Sequence, residues 1–152
     1  MLIIAVHDVH SAVKLVDAAR VAFSLGADLF VISKATSSAA QSGAPEVEKM
    51  AFKEGKKVLY VPDISDVIEL VSPDVSYMIV PKRLSEEPLN INEIRELLED
   101  GKKVLLSFSG GTVSFSLKEL EYGKPVYLKD IDEVLPPAAL IAIVLYLIGG
   151  KD

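Results

Sequence analysis

Cysteine is absent from the 152 residues, which removes disulfide scaffolds, zinc ribbons, iron–sulfur clusters and cysteine nucleophiles together. Histidine is almost absent: His7 and His10 are the only two, too few for a His-rich metal site. An excess of basic charge is missing as well. With 22 acidic against 16 basic residues the formal charge is −6, which counts against a strong non-specific grip on nucleic acid. Local basic clusters remain at Lys53, Lys56 and Lys57, and at Lys82 with Arg83. No run is apolar enough to span a bilayer. The longest uncharged stretch, 134–150, opens with Pro136-Pro137 and leaves about 12 apolar helical residues where ~20 are needed. The first nine residues lack the basic region and long apolar core of a signal peptide. A soluble, cytoplasmic protein with no membrane contact is therefore expected. One Gln and two Asn beside many Lys and Glu make the profile of a heat-adapted protein.

Half of the residues are apolar, and they alternate between strand-like runs and helical spacing. Strands are predicted over 2–6, 29–32, 58–61, 77–80 and 104–108, with a short edge strand over 125–128. The first is a continuous apolar run, the mark of a strand buried on both faces. Helices are predicted over 11–25, 45–54, 63–71, 92–100 and 137–148. In the first, Val13, Val16, Ala19 and Phe23 fall at helical spacing, and Gly26, Gly55 and Gly101 stand where helices end. The stretch 35–43 is expected to be a small-residue loop. This order predicts one α/β domain over residues 1–152: a mainly parallel sheet of five or six strands with helices on both faces. Ligands of such sheets sit at the carboxyl ends of the strands. Those ends carry His7-Asp8, Ser33-Lys34, Pro81-Lys82-Arg83, Ser107 to Gly111 and Lys129-Asp130.

Neither GxGxxG after the first strand nor GxxxxGK[ST] occurs, which disfavours dinucleotide and P-loop chemistry. Gly110-Gly111 offers either a tight turn or a backbone that a ligand can approach closely. His7 and His10, three apart across a strand end, make a poor metal pair without a third ligand. Asp130, Asp132 and Glu133 lack the spacing and glycine of a calcium loop. A RecB-type nuclease needs an acidic residue and an acidic-x-Lys element on neighbouring strands, and no interior strand carries one. Lys118 and Glu119 read as helix surface. No metal site is expected.

Three segments, in order, resemble the SPOUT superfamily of methyltransferases, above all its SpoU-like branch in a minimal, archaeal-type form. The first is Ala18-Ala19-Arg20 through Gly26-Ala27-Asp28, with an Arg six residues before a Gly that opens the second strand, followed by the Ala- and Ser-rich loop 34–43. The second runs from Leu105 to Leu120: a strand, a Gly-rich turn and Ser-Leu-x-Glu-Leu. The third runs from Val126 to Ala139 into the apolar final helix.

The resemblance implies a C-terminal trefoil knot, an exception to the unknotted rule. It implies bent S-adenosylmethionine as cofactor, an RNA substrate (tRNA or rRNA) and a homodimer. Arg20 stands at the position of the catalytic arginine that helps activate a ribose 2′-hydroxyl. The implied cofactor pocket comprises Val80, Pro81, Ser107, Phe108, Ser109, Gly110, Gly111, Leu128, Ile131, Leu135, Pro137 and Ala138. Lys14, Lys34, Lys82 and Arg83 are the implied RNA contacts. Departures are also visible: Lys14 replaces an Asn, Thr112 or Val113 an acidic residue, and Pro136 to Ala139 a Ser-Leu-Asn. They leave two alternatives: a non-catalytic dimeric knot protein that binds RNA or protein, and, more weakly, a metal-dependent RecB-like nuclease. The final helix, apolar all round at Leu140, Ile143, Val144, Leu147 and Ile148, is the expected dimer contact.

Overall fold

β1 (Leu2–His7) has no exposed residue, and a strand buried on both faces must lie inside the sheet. In the computed structural model, which describes residues 1–111, 113–131 and 135–150, it pairs in parallel with β2 (Leu29–Ser33) and β5 (Val104–Ser109). β3 (Val58–Val61) extends the sheet beyond β2; β4 (Val75–Ile79) and then β6 (Lys124–Val126) extend it beyond β5. The order is β3-β2-β1-β5-β4-β6 and every pair is parallel. The parallel α/β domain expected from the sequence is thus present, with six strands. β6 lies at the edge, as expected, over three residues where four were predicted.

Alternation along β1 divides the core in two. Leu2, Ile4 and Val6 pack beneath α1 (Ala12–Ser24), α2 (Ala44–Glu54), α4 (Ile91–Glu99) and α5 (Pro137–Gly149). Ile3 and Ala5 face the opposite layer, formed by α3 (Ile64–Val71) and by Phe115, Leu120 and Tyr122. Ser11 caps α1 by accepting from the Lys14 N–H, and Asp63 caps α3 in a reciprocal box with Asp66. Gly55 (φ +68°) and Gly101 (φ +77°) take left-handed backbone after α2 and α4, as their positions predicted.

Several expectations are corrected. Val13 is 70% exposed, because Leu15, Val16, Ala18, Ala19, Ala22 and Phe23 form the buried stripe of α1. Part of the 35–43 loop is a π-helical turn, Ala39–Gly43, whose Gly43 sits against Ala12 and leads directly into α2. The Ser-Leu-x-Glu-Leu segment enters a 3-10 turn, Glu119–Tyr122. α5 buries Ile141, Val144 and Leu145 but leaves Tyr146 71% and Leu147 44% exposed. Its carboxyl end is held by Arg95, whose guanidinium donates to the carbonyls of Leu147, Ile148 and Gly150. The expected threading of the knot turns on the approach to α5 through 132–134, which lie outside the described residues. Among the described residues no helix is long and apolar enough to cross a membrane.

The strands end at one common edge, where the chain bends sharply. Asp8 (φ +60°) follows β1, Lys34 (φ +52°) follows β2, and Asp130 (φ +67°) lies beyond β6. Below, α4 is fastened to β4 by the Tyr77 hydroxyl, which donates to Glu93 Oε1 at 2.6 Å. Burial, the hydrogen bond to Glu93 and its negative charge push the Tyr77 phenol well above its usual range. The unfolded chain releases this proton near pH 10 while the folded chain keeps it, so the Tyr77 contribution to stability is complete below about pH 10 and declines above it. Thermal unfolding from about pH 9 to 11 should show this decline, and Tyr77→Phe should flatten it.

Candidate functional site

β1 and β5 are neighbours whose outgoing connections take opposite faces: β1 leads to α1, and β5 leads to the 115–122 layer beside α3. The carboxyl ends of such a pair open a crevice. Two sites occupy this edge.

The first is a narrow cleft at the ends of β4, β5 and β6, which encloses about 40 Å³. Its walls are Ile79, Val80, Pro81, Leu128, Ile131 and Leu140, with Ser109, Gly111 and Ser114 as polar lining. Six of the pocket residues expected from the sequence are here: Val80, Pro81, Ser109, Gly111, Leu128 and Ile131. The others are not in its lining. Ser107 and Phe108 are wholly buried in β5, Pro137 is buried at the start of α5, and Leu135 and Ala138 are half-buried beside it. Gly110 serves packing rather than ligand approach. A Cβ there would lie 2.5 Å from Val9 Cβ and 2.8 Å from Val9 Cα, and its N–H already donates to the His7 carbonyl at 2.7 Å. Gly111 has room, its nearest neighbour being the Asp8 carbonyl at 3.5 Å. Ser114 was not foreseen. Its hydroxyl is buried in the cleft wall without a hydrogen-bond partner among the described residues, and it faces a mostly apolar space.

The second site is centred on His7, which points to the α3 face and is 1% exposed. Its Nδ1 lies 2.8 Å from Ser33 Oγ and its Nε2 2.5 Å from Glu119 Oε2, with Asp63 Oδ1 at 4.0 Å. Phe115 stacks on the ring at 5.9 Å. Glu119 is therefore not helix surface. Burial alone would raise the pKa of its carboxyl, but the Ser116 N–H and the His7 contact outweigh that and hold it below the usual range. The three ligand atoms of His7, Asp63 and Glu119 lie within 4.8 Å of one another, a grouping the sequence reading, which expected no metal site, did not anticipate. His10 goes elsewhere, to Thr36 and Asp8 at the surface, so the two histidines do not converge.

Arg20 lies on the exposed side of α1, in an open groove with Pro45, Glu46, Lys49, Met50, Lys53 and Glu54, and is not in the cleft lining. Lys14 is half-buried, Lys34 and Arg83 are exposed, and Lys82 lies over the Tyr127 ring at 5.9 Å. Asp132 and Glu133 lie outside the described residues. The acidic-x-Lys spellings Glu54-Gly55-Lys56 and Asp100-Gly101-Lys102 fall in turns that enter β3 and β5, at the opposite edge of the sheet from His7 and the cleft.

The strand order and the edge cleft define a class: the α/β fold of SpoU-type methyltransferases. A Neisseria gonorrhoeae protein provisionally assigned to the methylase family superposes with a TM-score of 0.74 at 15% identity, over 97% of this chain and 80% of that one. The SpoU methyltransferase AviRb from Streptomyces viridochromogenes, in complex with the cofactor AdoMet, gives 0.73 at 14% identity, over 97% of this chain and 59% of that one. By sequence, the chain belongs to the family described as RecB-family nuclease (DUF2122), whose profile matches residues 37–147. A Methanocaldococcus jannaschii relative, provisionally named type II restriction enzyme MjaORF1200P, is 33% identical over 150 residues, 99% of this chain and 97% of its own. ApeKORF2002P of Aeropyrum pernix, named in the same way, is 35% identical over 148 residues, 96% and 92%.

The glycine pair separates packing from ligand access. Gly110→Ala should destabilise the fold by about 1–3 kcal/mol, since Val9 backbone cannot yield cheaply. Gly111→Ala should cost no more than about 0.5 kcal/mol. Denaturant midpoints of the two variants check the contrast.

Proposed function

We propose that the protein binds S-adenosylmethionine in the β4–β5–β6 cleft and transfers its methyl group to RNA, at a ribose 2′-hydroxyl. The observation that carries this reading is the cleft itself: apolar walls and a buried hydroxyl, Ser114, without a partner among the described residues, at the strand ends where this fold class places its ligands. The lining, apolar with two hydroxyls, matches the cofactor in chemical character, and the walls would part to admit it. Ile79, Val80, Leu128, Ile131 and Leu140 would shelter its apolar and aromatic surfaces from water, and Ser109 and Ser114 would meet its polar groups. The bound cofactor supplies an electrophilic methyl on its sulfonium, so the chain's own task is orientation.

Arg20 would then meet the substrate hydroxyl from a second copy of the chain, because in one copy it is separate from the cleft lining. Pairing through α5, where Tyr146 and Leu147 are exposed, would supply that copy. Lys34, Lys82 and Arg83, exposed around the same carboxyl edge, and the half-buried Lys14 of α1 would hold RNA phosphates. The substrate class would be tRNA or rRNA. A knot protein that keeps the cofactor and the dimer but transfers nothing is separated from this reading by assaying transfer to RNA.

The family description favours a second reading, a metal-dependent nuclease. Its usual acidic-x-Lys element lies at the wrong end of the sheet for one site with the edge carboxylates. Divalent-ion-dependent cleavage of duplex DNA, without binding of the demethylated cofactor, would replace the methyltransferase reading with this one.

Calorimetry with S-adenosylhomocysteine should give one site per chain, and an absence of heat at millimolar ligand would overturn the proposal. Ser114→Ala should weaken that binding about five- to tenfold while leaving the unfolding midpoint equal or higher, since it deletes a buried hydroxyl that has no partner among the described residues. Arg20→Ala should spare cofactor binding and abolish most transfer of labelled methyl to RNA.

A further inference from the structure

We propose that His7, Asp63 and Glu119 form a binding site for one divalent transition-metal ion, zinc or manganese, separate from the cofactor cleft. The three donors come from distant parts of the chain: the end of β1, the cap of α3, and the turn after β5. None of them lines the cleft. Their ligand atoms converge within 4.8 Å.

Each donor is held from behind. The His7 ring is enclosed at 1% exposure, stacked on Phe115, with Ser33 Oγ on Nδ1 so that Nε2 faces the two carboxylates. This is the arrangement of a metal-binding histidine, whose second nitrogen is fixed by an outer partner. Glu119 accepts the Ser116 N–H on Oε1 at 2.8 Å, which turns Oε2 toward His7. Asp63 is oriented by the Ile64 N–H, which donates to its Oδ1 at 2.7 Å.

The spacing suits an ion after small adjustments. Two ligands each ~2.1 Å from a metal stand roughly 3.0–3.4 Å apart, depending on geometry. The observed separations from Nε2, 2.5 Å to Glu119 and 4.0 Å to Asp63, lie on either side of that range. Shifts under about 1 Å would bring both into it. An ion on Nε2 requires the tautomer with its proton on Nδ1, where Ser33 Oγ stands within hydrogen-bond distance to accept it.

The donor set selects the ion. An imidazole with two carboxylates suits zinc or manganese, whereas magnesium and calcium favour oxygen-only shells. Asp63 is 54% exposed, so the remaining coordination positions face water, as in an open site.

Purified full chain, stripped with chelator and dialysed, is titrated with zinc chloride and separately with manganese and magnesium chlorides, read by calorimetry and thermal shift. One zinc equivalent per chain at micromolar affinity or better, a raised melting temperature and a much weaker response to magnesium are expected. Asp63→Asn retains a good helix cap and should fold as the parent, yet bind zinc at least about tenfold more weakly. Glu119→Gln should behave alike, and His10→Ala should leave binding unchanged. S-adenosylhomocysteine binding should be the same in Asp63→Asn as in the parent. No zinc uptake at about 100 µM, or parental affinity in Asp63→Asn, would overturn the proposal.

Discussion

The parallel pairing of β1 with β5 is the constraint on which the rest of the structure depends. Both strands are interior and point the same way, so their carboxyl ends, where such sheets place ligands, meet at one edge. Within β1 that leaves the last residue. His7 alternates onto the face of Ile3 and Ala5, yet it sits far enough along the strand to touch side chains arriving from α3 and from the turn after β5. On the other side of β5 the same edge forms the cleft of Val80, Ser109 and Leu128. One pairing therefore creates two chemically different sites on one rim.

The family described as RecB nucleases and the architecture of SpoU-type methyltransferases meet in this chain, and the sheet places the acidic-x-Lys spellings away from the edge carboxylates. A parallel sheet delivers acid and lysine to one site only when both lie at the same end of their strands. Here the turns that carry Glu54-Gly55-Lys56 and Asp100-Gly101-Lys102 precede strands, while Asp63 and Glu119 follow them. The length of the sheet separates the two sets. A cleft for an apolar-bodied ligand, in contrast, needs only strand ends and a covering helix, and both are present.

Much of this frame was legible because its signals are local. The continuous apolar run of 2–6, the glycines after helices, and the alternation of runs with helical spacing each act within a few residues, and they yielded the order of strands and helices. Two thirds of the cleft lining was named from the sequence: Pro81, Ser109 and Gly111 end strands, and strand ends can be read, while Val80, Leu128 and Ile131 came from the family resemblance. The His7–Glu119 contact spans 112 positions and has no local mark, since Glu119 carries the ordinary signature of a residue in a capping turn. Ser114 gave no signal either, because its lack of a partner is a property of packing. Gly110 was marked as notable, but its reason, the close approach of Val9, exists only in three dimensions. Val13 shows the converse: an apolar residue at helical spacing lies outside the stripe because two spacings compete and the larger buried set fixes the rotation of α1.

The left-handed bends at Asp8, Lys34 and Asp130 give this rim an unusual division of labour. Its outline is held by main-chain torsions that Asp, Asn and Gly adopt with little penalty and that β-branched residues resist. A valine or isoleucine at Lys34 or Asp130 would therefore strain the outline of the rim without removing a single side chain from the cleft or from the His7 cluster.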